Sequence, residues 1–420
     1  MSIPRRVFIA GGAHTPYIGK HHPDFIWKRH PDFGQRENPT YDALLREAVE
    51  NTIKDTGVDP EQIDRLYVGN FTGELFINQG HMGAALAGAH PALAYKPSAR
   101  LEGACASGGL AMMAGIDAIA AGADIVLISG VEVQTTVSAR QGADYLARAS
   151  DYARQRSIDD FTFPAMFARR IKHLLAETDA REEDLGHVSV KAYDNANKNP
   201  FAHMKARKMT LEVAASANDK NPNFLSNPEL SPYLKVSDCS QVSDGATVLL
   251  LVSEDGLKKL GRTITDTVEI VGRGQSVDNL FIDRDPLELA TAKDAVGKAY
   301  LDAGLGIADI DVAEVHDCFT VAEVLMYEAI GLADKGQGYT LAREGVTRID
   351  GKLPVNTGGG LIGFGHPVGA TGVKQPLEIF RQMKGRAGDY QVAGDLNHGL
   401  TVNMGGDDKT VVSMVLKNHS

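Results

Sequence analysis

The chain is poor in cysteine: Cys105, Cys239 and Cys318 are the only three in 420 residues. An odd number of thiols with no C-x-x-C pair excludes a disulfide framework and a cysteine-based zinc site. Each thiol is then either an inert core residue or a reagent. Long apolar runs are missing too, with nothing approaching the roughly 18 residues of a membrane span. The opening MSIPRRVFIAGG has an apolar stretch too short and too glycine-rich for a secretory h-region. The ending KNHS is not the Ser-Lys-Leu address of peroxisomes, so a cytoplasmic protein is the expectation. Positive charge is scarce: 43 Lys and Arg against 54 Asp and Glu leave a net charge of -11. That balance argues against a general nucleic-acid binder.

What remains is a globular composition, 43% hydrophobic and 23% charged with 44 glycines, long enough for about two or three domains. The chain repeats itself once. AVENTIKDTGVDPEQIDRLYVGN from Ala48 and AVGKAYLDAGLGIADIDVAEVHD from Ala295 share one plan: amphipathic helix, glycine near the C-cap, acidic turn, Ile-Asp, then strand. Without a gap they match at Asp55 and Asp302, Gly57 and Gly304, Ile63 and Ile310, and Asp64 and Asp311. An offset of 247 residues is far beyond a solenoid period, so the pattern predicts duplication of a whole α/β unit. Between the halves, residues 138–235 carry 15 Lys and Arg against 13 Asp and Glu, with Asn- and Pro-rich stretches. This reads as an inserted, loop-rich lobe whose less acidic surface tolerates an anionic substrate.

Three segments can carry chemistry. Cys105 stands in RLEGACASGGLAMMAGIDAIAAGADIVLISG, where Ala106 to Ala121 predicts a helix apolar all round and ADIVLISG a buried strand. A thiol just before that helix faces free N–H groups and the positive dipole end, which lower its pKa. The run NTGGGLIGFGHPVGATG contains a formal G-x-G-x-x-G at Gly358, Gly360 and Gly363. The preceding GKLPVN is a poor strand and the following Glu378 falls in a helical stretch, so the dinucleotide reading fails. A tightly turned glycine loop presenting His366 remains. In AEVHDCF the repeat ends a strand at Val315, placing His316 and Cys318 at its C-terminal edge, where α/β folds bind ligands. Two residues apart on an extended end, these two side chains point the same way. Thr320 is the expected cap of the next helix. The doubled HPDF at 22–25 and 30–33, with His21, has no diagnostic ligand spacing and predicts no metal site. Its Phe25, Trp27 and Phe33 are expected to cover a surface or a subunit contact.

GACASGG, SQVSDGATVLL, HDCF and GFGHPVGATG, in this order, resemble the thiolase superfamily, and more specifically the sterol-carrier-protein-type thiolases. The resemblance spans the chain. It implies an α/β, thiolase-like fold: a duplicated βαβαβαββ core in five layers (α/β/α/β/α) with an inserted loop domain. The halves would be residues 1–137, completed by 236–262, and 263–420, with 138–235 as the lobe that binds coenzyme A. It implies Cys105 as the nucleophile that takes an acyl group and His366 as the base that removes its proton. Better-known thiolases carry Asn-Glu-Ala-Phe at the HDCF position and a second catalytic cysteine in a Cys-x-Gly-Gly-Gly segment. Here His316 replaces the Asn, and TVNMGGDDKT has no cysteine. The resemblance implies that Cys318 takes over the second acid/base role and that His316 donates to the enolate oxygen. The N–H of Cys105 and one from the Gly405-Gly406 turn form the oxyanion hole. Asp407 and Asp408 follow that turn where small residues are usual. The resemblance implies Ser240 as a coenzyme A contact, a turn serine being the alternative, and Cys239 is expected to be inert. Coenzyme A or acyl-CoA enters as substrate, with no permanently bound cofactor. A homodimer or dimer of dimers is implied, and a partner protein is possible; nucleic acid and membrane are not partners. Two rival readings are a cysteine thioester hydrolase, since GACAS partly mimics a nucleophile elbow, and a non-catalytic acyl-CoA-binding protein.

Overall fold

The computed structural model describes residues 5–419. Its nine strands are β1 (Phe8–His14), β2 (Arg65–Gly69), β3 (Ser98–Leu101), β4 (Ile125–Glu132), β5 (Gly245–Val252), β6 (Val268–Val277), β7 (Val312–Glu314), β8 (His398–Gly405) and β9 (Thr410–Asn418). The helices that matter for the site are α1 (Tyr41–Thr56), α2 (Ser107–Ala120), α3 (Thr162–Glu177), α4 (Glu182–Lys198), α5 (Ala290–Ala303), α6 (Thr320–Ala329), α7 (Gly360–Phe364) and α8 (Val368–Met383).

Hydrogen bonding links the strands in the order β3-β2-β4-β5-β1-β6-β9-β8-β7. The first half reads 3-2-4-5-1 in chain order. The second half repeats that order, its third strand reduced to a parallel bridge between Ala313 and Val355. The strands of the two halves pair through Phe8 with Glu269 and Ile9 with Val268, beside a register shift in each of β1 and β6. Such bulges bend a strand and turn its remaining length in a new direction. The two sheets therefore face each other, with α2 and α8 packed between them against strands of both halves. Helix α1 covers the outer face of the first sheet and α5 that of the second, which gives the five layers. Strands β4 and β5 are buried along their whole length, as their unbroken apolar sequences require when both sheet faces are covered.

The duplication reaches individual hydrogen bonds. Gly57 and Gly304 close α1 and α5 in the left-handed region, at φ 69° and 67°, a conformation in which glycine has no Cβ penalty. Asp64 accepts the Asp124 and Ile125 N–H groups at 2.7 and 2.9 Å, and Asp311 accepts those of Asn397 and His398 at 2.7 and 3.0 Å. Asp55 and Asp302 each accept from the bulged strand beside them, at Gly12 and Arg273. The repeated Asp residues in the sequence are the pins of each half.

The segment between β4 and β5 is more helical than its composition suggests. Asn and Pro signal loops, yet α3 and α4 run for 16 and 17 residues. Leu185, Val188, Ala192 and Ala196 bury one face of α4, and the Asn195 amide donates to the Asn356 carbonyl instead of breaking the helix. Tertiary packing overrides weak helix propensity here. The doubled HPDF is a repeated turn: the Nδ1 atoms of His22 and His30 accept the N–H of Asp24 and Asp32, each at 3.1 Å. Phe25 is buried, Phe33 is exposed, and Trp27 lies beneath the cations of Lys20 and Arg29. Among the described residues, no helix is long and apolar enough to cross a membrane.

Candidate active site

Cys105 sits on a sharp elbow between β3 and α2. Ala104 before it is held at φ 52°, a left-handed conformation that non-glycine residues seldom adopt. Ser107 braces the elbow: its hydroxyl accepts the Gly103 N–H at 3.1 Å and donates to the Ala104 carbonyl at 2.6 Å. The serine of GACAS is thus a strut. Gly405 packs directly behind, where a Cβ would fall 2.0 Å from the Gly103 carbonyl oxygen. Gly406, at φ 67°, reaches the cleft wall and directs its N–H at the Cys105 sulfur.

The cleft has a volume of about 230 Å³ and is mostly apolar; Phe71, Leu146, Phe163, Phe167 and Val368 line it. All three cysteines border it, together with His316, His366 and Ser240. The Cys105 sulfur and one ring nitrogen from each of His316 and His366 lie within 4.8 Å of one another. The two imidazoles stand edge to face, centroids 5.1 Å apart.

Burial pushes the Cys105 thiol up to about 12, with the Glu132 charge adding to it, although the N–H groups of Gly406 and of Cys105 itself pull it down. The helix-terminus argument from sequence is overturned here. The thiol sits among Phe71, Ala149, Val368 and Leu146, and desolvation of the charge outweighs the N–H groups that favour it. Burial lowers His366 to about 3 and takes His316 well below its ordinary value, the neighbouring His366 adding to the effect. The resting trio is therefore neutral thiol and neutral imidazoles. His366 Nδ1 lies 2.6 Å from Thr371 Oγ1, and that hydroxyl donates to the Pro367 carbonyl at 3.4 Å. With the proton on Nδ1, the lone pair of Nε2, which has no hydrogen-bond partner among the described residues, is free to accept one.

In the His-Asp-Cys triplet, His316 and Cys318 face the cleft and Asp317 faces away. The Asp317 carboxylate accepts the Leu361 N–H at 2.7 Å at the start of α7, so it anchors the glycine loop that carries His366. Gly360 leaves room for it; a Cβ there would lie 2.1 Å from the carboxylate. Burial and the nearby Glu323 raise Asp317 above the usual carboxylate range. Burial likewise takes the Cys318 thiol well above its ordinary value, with Cys105 and Asp317 contributing. The Ser240 N–H donates to the Cys318 carbonyl at 2.9 Å, which fixes the cleft mouth against the HDCF turn. Cys239, also pushed up by burial, packs beside Ser240. Thr320 does not cap α6 with its side chain; its hydroxyl donates to Asp238 at 3.0 Å.

The two unusual aspartates have structural partners. Asp407 forms a buried ion pair with Arg170 of α3 at 2.7 Å, and Asp408 accepts the first N–H groups of α5, from Thr291 and Ala292, at 2.8 and 2.9 Å. The turn after Gly406 is tied to the inserted lobe on one side and to the outer helix on the other. Sequence reasoning passed over Thr371, Gln134, Ser243 and Asn403. Gln134 and Ser243 hold the backbone of His366, through its carbonyl at 3.2 Å and its N–H at 3.2 Å. Ser243 in SQVSDGA, Thr371 in GFGHPVGATG and Asn403 in TVNMGGDDKT stood in segments already singled out; Gln134 did not.

Residues 32–255 match the family described as Thiolase, N-terminal domain, and residues 272–418 match Thiolase C-terminal domain-like. The chain is 37% identical over 371 residues to the acetyl-CoA acetyltransferase of Methanothermobacter thermautotrophicus, covering 87% of this chain and 92% of that one. It is 28% identical to sterol carrier protein 2 of Gallus gallus, over 89% of this chain and 67% of the other. Among solved structures, the Ltp2-ChsH2(DUF35) aldolase superposes with a TM-score of 0.76 at 23% identity, covering 99% of this chain and 98% of that one. Both halves of the duplicated core match in their proper order, and the archaeal relative aligns through the two of them. The chain belongs to the thiolase family.

Proposed function

We propose that the cleft performs thiolase-type acyl transfer, joining two acyl-CoA molecules or cleaving a 3-ketoacyl-CoA with coenzyme A through an acyl group on Cys105. The observation that carries this is a neutral thiol beside an imidazole with a free lone pair, facing a second thiol in an apolar cleft. Family membership and the acetyltransferase relative support the reaction class.

Protons and electron pairs balance at every step. His366 Nε2 takes the Cys105 proton as sulfur attacks the thioester carbon, and the N–H groups of Cys105 and Gly406 hold the oxyanion. The departing coenzyme A thiolate takes the Cys318 proton and leaves that sulfur as the base. Cys318 removes the α-proton of the second acyl-CoA while His316 donates to the enolate oxygen. The carbanion attacks the acyl group, and the expelled Cys105 sulfur recovers its proton from His366. Thiolysis runs the same steps backwards. Coenzyme A is a substrate; its pantetheine arm passes Ser240 and the phenylalanines of the inserted lobe, residues 138–235. The residues fit that arm, because the mouth is apolar apart from Ser240 and Gln241.

The working form is a cytoplasmic homodimer or dimer of dimers. A partner protein is part of this reading, supported by the two-component Ltp2-ChsH2(DUF35) aldolase of the same fold. The test is acetoacetyl-CoA with free coenzyme A. Two acetyl-CoA per substrate, lost in Cys105→Ala, support acyl transfer. Release of free acid with no acetyl-CoA would instead make the protein a thioester hydrolase.

A further inference from the structure

We propose that Asn403 is the positioning residue that sets the proton of His316, holding it on Nε2. Asn403 lies on β8, in the segment TVNMGG, and is buried. Its side chain is oriented without ambiguity. Oδ1 accepts the Gly109 N–H at 3.1 Å, which turns the amide nitrogen the other way. Nδ2 donates to the Cys105 carbonyl at 3.0 Å and lies 3.5 Å from His316 Nδ1. An amide NH₂ has two protons and no lone pair to offer, so the nitrogen it faces has to be the accepting one. His316 Nδ1 is that acceptor, and the ring proton sits on Nε2. Burial keeps the ring neutral, so this single proton is the only one His316 can give.

The space around Asn403 is cleared for it. A Cβ on Gly372 of α8 would lie 2.1 Å from Asn403 Oδ1, and one on Gly109 of α2 would lie 2.8 Å away. Two glycines from the two central helices thus admit the amide to the point where the Cys105 elbow and the HDCF turn come closest. One amide links the carbonyl of the acyl-carrying residue to the ring that faces the enolate. The inference rests on the acyl-transfer reading of the cleft and adds to it a device that keeps the two half-reactions in register. The acyl-enzyme step holds its oxyanion on backbone N–H groups and takes no proton from His316. The carbon–carbon step needs the His316 proton.

Asn403→Asp separates the two. A carboxylate still accepts from Gly109 but has no proton for the Cys105 carbonyl or for His316 Nδ1, and it draws the ring proton to that side. The measurement compares acetyl exchange between acetyl-CoA and dephospho-coenzyme A, which reports the acyl-enzyme step, with condensation of acetyl-CoA. Asn403→Asp is expected to lower condensation by about 10²–10³-fold more than it lowers exchange, the usual effect of losing one oxyanion donor. An equal fall in both, or a fall in neither, overturns the inference. Should wild type itself fail to exchange acetyl groups, the function reading fails instead. Nitrogen-15 spectra of the histidines give a second, folding-independent readout in wild type alone: His316 protonated at Nε2 is expected, and protonation at Nδ1 overturns the assignment.

Discussion

At the residue scale the resting site is uncharged, and this shapes how it reacts. A cysteine activated as a thiolate–imidazolium pair reacts with alkylating agents at a rate that levels off once the pair has formed. Burial pushes Cys105 up to about 12 and His366 down to about 3, so the thiolate population grows with every step in pH across the neutral range. The rate of Cys105 carbamidomethylation by iodoacetamide is expected to climb steadily from pH 6 to pH 10; a plateau below pH 8 would contradict a neutral pair. Cys318→Ser provides the complementary test. It is expected to leave acetylation of Cys105 measurable and to lower condensation by about 10²–10⁴-fold, the range for losing a positioned base, read from initial rates. Cys105, His316, Cys318 and His366, which the structure brings to one cleft, stood out in the sequence because each is a reactive residue type in a distinctive segment. Thr371, Ser107 and Asn403 did not. Their side chains are common polar ones whose partners are fixed by the turn geometry or, for Asn403, by residues about 300 positions away. The charge state of Cys105 was misread because the helix terminus is local and visible, whereas the apolar cluster around the sulfur is assembled from distant segments.

At the element scale the turn Gly405–Asp408 links three pieces: the Cys105 elbow, α3 of the inserted lobe, and the N-terminus of α5. Removing its cap to α5 in Asp408→Ala is expected to cost about 0.5–2 kcal/mol, measured by urea unfolding. Asp407→Ala strands the Arg170 charge in the interior and is expected to cost more, about 3–5 kcal/mol. Gly405→Ala acts on the elbow. Its Cβ has no room beside the Gly103 carbonyl, so the elbow has to move, with a cost of about 1–3 kcal/mol and loss of most activity. Normal turnover in Gly405→Ala would show that the elbow is not held from behind. Repeated elements were the most legible part of the fold, since helix, glycine and aspartate recur at a fixed offset and make the same bonds in both halves. The inserted lobe was less legible, because the helical character of α4 comes from packing on α7 and α6 and not from its own Asn-rich sequence.

For the molecule as a whole, the duplicated core places β3 at one end of the sheet order and β7 at the other. Val355 pairs with the β7 end, whereas β3 is bonded to β2 on one side only and is half-buried. An unpaired strand edge is a template for a second chain. Light scattering is expected to give at least twice the 45.0 kDa of one chain, and a monomer at micromolar concentration would contradict the dimer. The five-layer arrangement also explains why the chemistry falls where it does. The two central helices belong to different halves, so Cys105 before α2 and His366 before α8 meet only when both halves have folded. Every step of the proposed chemistry passes through an acyl group on Cys105. Intact and peptide mass spectrometry after incubation with acetyl-CoA, with and without a chase of free coenzyme A, tests that directly. The account predicts an acetyl group on the Cys105 peptide that persists in water and is discharged by coenzyme A. An acetyl group found on Cys318 or Cys239 with Cys105 unmodified, or one lost to water as fast as to coenzyme A, would contradict it.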